Sequence, residues 1–73
     1  MNEDHDKDVA ALKIWEIIER DFKIIINGPS RNDSVLTAAH VASVYVAGSV
    51  SMGWLRKEAN KAFDYFERRG LKE

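Results

Sequence analysis

Seventy-three residues, 45% of them hydrophobic and 32% charged, describe one small folded domain over residues 1–73 rather than a disordered chain. The absence of cysteine excludes a disulfide framework and thiolate metal sites. No apolar run approaches the roughly 18 residues of a membrane span, and the acidic start "MNEDHDKD" is opposite in charge to a signal peptide, so a cytoplasmic protein is expected.

The formal net charge of −1 conceals an uneven distribution. Residues 1–21 hold seven acids against three bases, a balance of −4, and residues 22–73 hold eight bases against five acids, a balance of +3. DNA-binding domains carry a stronger basic excess, because phosphate contacts dominate their affinity. A dipolar chain fits a protein partner at least as well.

In chain order, the first helix is expected to start near Asp4 or Asp6, where early acids complement the positive end of the helix dipole. Ala10, Ala11, Ile14, Trp15, Ile17, Ile18 and Phe22 fall within about half of a helical wheel, and Lys13, Glu16, Glu19 and Arg20 lie opposite. "FKIIINGPS" is ambiguous. Three isoleucines favour a strand, yet no breaker precedes them, so the helix is read to about Ile26, with a short extended segment at Lys23–Ile26 as the alternative. Asn27-Gly28-Pro29 then stops it.

"PSRNDS" reads as a loop of turn formers. Asp33, Ser34 or Thr37 is expected to cap a second helix reaching about Ala47, with Ala38, Val41, Ala42, Tyr45 and Val46 inside and His40 outside. "VASVYV" is rich in β-branched residues and leaves a strand open as the other reading. Gly48 breaks the chain, Ser51 caps a third helix, and Gly70 ends it. The fold expected is all-α, a small bundle of three helices.

In the third helix Leu55, Ala59, Ala62, Phe63 and Phe66 recur at i, i+4, i+7, i+8 and i+11, which is a core face. Trp54 and Tyr65 lie about 80–100° away from its centre, given the 3.6-residue helical turn. They align with Lys57, Lys61 and Arg68. Trp, Tyr and Arg are enriched at interaction hot spots, and cations beside rings add cation–π attraction. Trp54, Lys57, Lys61, Tyr65 and Arg68 are therefore the candidate partner-binding residues. The competing reading is a solvated face whose rings cover a neighbouring helix.

Other chemistry finds little support. A helix-turn-helix register with Gly48 at the ninth position puts Val44 fifth, where a close crossing needs a small residue, and Lys57 eighteenth, where the core needs an apolar one. The two histidines have no helical ligand set around them, the serines lack a nucleophile-elbow context, and the glycines form no phosphate loop. No catalytic residue, metal site or cofactor is assigned.

Small size, lack of cysteine, dipolar charge and helical patterning together make the chain resemble the host-takeover proteins of lytic bacteriophages, in particular small transcription regulators that bind bacterial RNA polymerase. The resemblance spans the whole length, and no family residue is carried over. It implies a non-enzymatic protein of the bacterial host cytoplasm that docks on a polymerase subunit and inhibits or redirects transcription, as a monomer or weak homodimer. A small helix-turn-helix-like repressor or excisionase-like factor is the alternative. A helical protein that dimerises through the flank of its last helix is the third reading.

Overall fold

The computed structural model describes residues 3–24 and 30–69, which form three helices: α1 (Glu3–Ile24), α2 (Arg31–Tyr45) and α3 (Met52–Arg69). Each helix packs against both others, so the chain is an all-α three-helix bundle, with no strand among the described residues. Lys23 and Ile24 are helical, which removes the extended alternative there. Ile25 and Ile26, the Asn27-Gly28-Pro29 stop and the Gly70 stop lie outside the described residues.

The core draws different residues from each helix. α1 buries Ala10, Ile14 and Ile18, and α3 buries Leu55, Ala59, Ala62 and Phe66. α2 contributes Val35, Ala38, Ala39 and Ala42, flanked by Val46 and Val50 of the following turn. Three alanines on one short helix let its backbone approach two neighbours at once, and the larger side chains opposite fill the space. Ala11 and Ile17 are half-buried at the edge of the α1 face.

α2 begins earlier than its strongest cap formers suggest. Ser30, in an extended conformation, is the N-cap, and its Oγ accepts the Asp33 backbone N–H at 3.2 Å. Asp33, expected as a cap, instead sits in the first turn, where its charge complements the helix dipole. Ser34, also expected as a cap, is 1% exposed, and its Oγ donates to Asp21 Oδ2 of α1 at 2.7 Å. Thr37 is exposed within the helix.

The other end of α2 stops at Tyr45, two residues short of Ala47. The Gly48 N–H donates to Ser43 O at 2.9 Å and the Ala47 N–H to Val44 O at 3.1 Å. This is the paired 6→1 and 5→2 pattern of a Schellman motif. Ala47 occupies the left-handed position with φ 53°, and Gly48 follows with φ 75°. Two inward expectations for α2 are also corrected: Tyr45 is 57% exposed and Val41 only half-buried. "VASVYV" is helical through Tyr45 because the alanines, not the β-branched residues, make the interhelical contact.

Ser51 caps α3 as expected. Its Oγ accepts the Trp54 N–H and its carbonyl accepts the Leu55 N–H, each at 3.1 Å.

Candidate functional site

The surface of α3 is set by what lies on either side of it. On the α1 side, five rings form a connected cluster: Trp15 lies 5.1 Å from Tyr65 and 5.6 Å from Phe66, and Phe22 lies 4.6 Å from Phe63 and 6.0 Å from Phe66. The tilted and edge-on arrangements are those that ring quadrupoles favour. Within this seam the Trp15 indole N–H donates to Glu58 Oε2 at 2.9 Å. The Glu58 side chain is only 13% exposed, and Lys61 Nζ approaches its other oxygen at 3.8 Å.

On the α2 side, Arg31 spans the gap. Its guanidinium donates to Asn60 Oδ1 (3.1 Å) and Asp64 Oδ1 (2.6 Å), lies 3.5 Å from Glu67 Oε1, and sits 4.9 Å over the Phe63 ring. Arg31 belongs to the stretch read from sequence as a loop, and is in fact the first residue of α2. These side chains are 39–63% exposed, so each pair contributes at most about 1 kcal/mol. The geometric effect is larger: Asp64, an i+4 partner for Arg68 on the wheel, is drawn instead towards α2.

Tyr65 is 39% exposed; its ring packs on Trp15 and on Phe66 at 5.2 Å, and the Arg69 guanidinium sits 5.5 Å from its centroid. Trp54 is half-buried against the core, with Lys7 Nζ 5.5 Å from its ring. The stripe's aromatic edge thus turns towards α1, and its basic edge, Lys57, Lys61 and Arg68, is exposed. Lys61 is tied to Glu58. Lys57 and Arg68 have no side-chain partner among the described residues.

Glu58 and Arg31 are absent from the wheel reading. A wheel shows which residues share a face, not which neighbouring helix lies over it. The signal available for Glu58 was its position between the angles of Trp54 and the core, too near the apolar side for a solvated carboxylate.

Val44 and Lys57, which a helix-turn-helix with Gly48 in its turn would bury, are both exposed, Val44 to 78%. α2 and α3 therefore do not cross in the manner of that motif.

Other chemical features are sparse. A groove of about 350 Å³ between α1 and α2 is lined by Lys13, Glu16, Ile17, Arg20, Val41 and Tyr45, and Lys13 Nζ lies 4.4 Å over the Tyr45 ring. Among the described residues no three His, Asp or Glu side chains come together as metal ligands, and no helix is long and apolar enough to cross a membrane. His40 is exposed on the outer side of α2. No protein-family model, curated protein or solved structure matches the chain.

Proposed function

We propose that the chain is a non-enzymatic regulatory module that docks through the outer flank of α3 on an acidic surface of a larger protein, bacterial RNA polymerase being the partner that the sequence resemblance implies. Inhibition or redirection of transcription is the expected consequence. One observation carries the reading: Lys57 and Arg68 are exposed cations with no side-chain partner among the described residues, set beside the partly exposed ring of Tyr65. A cationic rim around an aromatic centre is the composition of an interaction hot spot.

The test measures binding of the full chain to purified bacterial RNA polymerase, comparing wild type with the Lys57→Glu/Arg68→Glu double variant. Both substitutions leave the described interhelical contacts intact, and circular dichroism checks the fold. Reversal of two rim charges should slow association and weaken affinity by about tenfold or more. Equal binding by both proteins, or none by either, overturns the reading. Steeply salt-dependent nanomolar binding to a specific DNA duplex would favour the repressor alternative.

A further inference from the structure

Between Ser34 and Leu55 the chain has no Asp, Glu, Lys or Arg, although 32% of all its residues are charged. Most of α2 and the turn after it fall in that interval. The inner side of α2 explains only part of it, because Ser34, Val35, Ala38, Ala39 and Ala42 alone are buried in the helix. Outward, Leu36 is 41% exposed and Val44 78% exposed, and exposed His40 lies between them. The spacing is i, i+4, i+8, which makes one continuous ridge along the helix surface. Exposed Thr37 and half-buried Ser43 flank this ridge. It touches neither the α3 flank discussed above nor the groove between α1 and α2.

We infer that this outer face of α2 is a self-association surface whose occupant is the same face of a second copy of the chain, antiparallel to the first about a two-fold axis through His40. Charge decides between surfaces. Asp33, exposed in the first turn of α2, is the one carboxylate on this side of the helix and sits at the end of the ridge. The uncharged stretch from Leu36 to Val44, laid on a surface that carries charges, strips water from them and offers no counter-charge in return. The outward sides of α1 and α3 carry Glu16, Arg20 and Lys23, and Lys57, Lys61 and Arg68. Among the described surfaces of this chain, only α2 matches α2. The ridge is also symmetric about its centre: in an antiparallel pair, Leu36 meets Val44 of the second copy, and Val44 meets its Leu36. Such a contact is isologous and closes at two subunits.

The area sets the strength. A 15-residue helix is about 22 Å long and offers one face, well short of the roughly 800 Å² per partner of a stable interface. The dimer is therefore weak and forms only at high concentration. This inference stands apart from the docking role of α3.

Sedimentation equilibrium of the full chain from about 10 μM to about 1 mM brackets the affinities expected of so small an interface. The wild type should pass from monomer towards dimer over that range. Val44→Lys changes a side chain outside the core and places a charge in the apolar contact, so the dissociation constant should rise by about tenfold or more. Lys57→Glu on α3 should leave it unchanged. Because the chain has no cysteine, His40→Cys gives an independent readout: mild oxidation should crosslink it rapidly at the axis and leave Lys57→Cys largely monomeric. A wild type that stays monomeric throughout, or equal crosslinking of the two cysteine variants, overturns the inference. So does a monomer whose RNA polymerase binding is lost in Val44→Lys, because the face then belongs to a different protein.

Discussion

α3 points Leu55, Ala59, Ala62 and Phe66 inward and carries Arg56, Lys57, Lys61, Arg68 and Arg69 on its exposed sides, whereas α2 buries alanines and leaves Leu36, Val44 and Tyr45 exposed. The two helices stand in the same bundle and each packs against both others, yet they are specified differently. The helical form of α3 follows from segregation of apolar and charged residues around its axis. α2 has no such segregation, and its β-branched residues favour extended backbone. It is held as a helix by the Ser30 cap, by the Schellman turn at its end and by alanines that fit closely between two partners. Short helices owe most of their stability to tertiary packing, and α2 is the plainer case of it.

The largest expected effect breaks the α3 side of this comparison. Phe66 is 8% exposed and lies against Trp15, Phe22 and Tyr65. Phe66→Ala should cost about 3–5 kcal/mol, most of the stability of a domain this small, and abolish a cooperative thermal transition near the wild-type temperature. Val44→Ala on α2 should change stability by no more than about 0.5 kcal/mol. Equal losses in the two variants would mean that α2 is packed far more tightly than its exposure indicates.

Ser34→Ala probes the tie between α2 and α1. The change removes the donor at 2.7 Å from Asp21 Oδ2, and the Asp21 side chain is only 15% exposed, with Arg20 Nη2 3.6 Å from its other oxygen. Leaving that carboxylate oxygen without its partner should cost about 1–3 kcal/mol in urea unfolding. A midpoint identical to wild type would show that water replaces the hydroxyl without loss.

The smallest expected effect has the opposite sign. Ala47 takes a left-handed backbone at φ 53°, a conformation that costs a residue with a Cβ about 1–2 kcal/mol. Glycine relieves this and loses more entropy on folding, so Ala47→Gly should stabilise by about 0.5–1 kcal/mol. A lower melting temperature would place the strain elsewhere in the turn.

Legibility of the fold tracked the same difference between helices. For α1 and α3 the wheel separates inside from outside because charges mark the outside, and Ile14, Ile18, Leu55 and Phe66 are buried as expected. For α2 no charge after Asp33 marks the outer face, so Tyr45 and Val41 read as inward on apolarity alone. Its start was obscured because Asp33, Ser34 and Thr37 are each chemically able to cap, and Ser30, within the stretch read as a loop, was not among the expected caps. Only the choice of Ser30 leaves Asp33 in the first turn and Ser34 facing Asp21. The α3 stripe was legible as an angular alignment. That α1 lies along its aromatic edge depends on how the helices meet, which no single-helix periodicity encodes.

The placement of the two tryptophans has a spectroscopic consequence. Trp15 reports from the ring cluster between α1 and α3, and Trp54 from the start of α3 near Lys7. α2 has no indole. Indole emission therefore registers one seam twice and is largely blind to α2. If α2 peels away first, amide circular dichroism falls while indole fluorescence holds steady, and the two melting curves separate. If the bundle comes apart as a unit, the curves superimpose, which is the probe-coincidence criterion for two-state unfolding. Superposition would mean that the alanine contacts of α2 are as cooperative as the aromatic ones opposite.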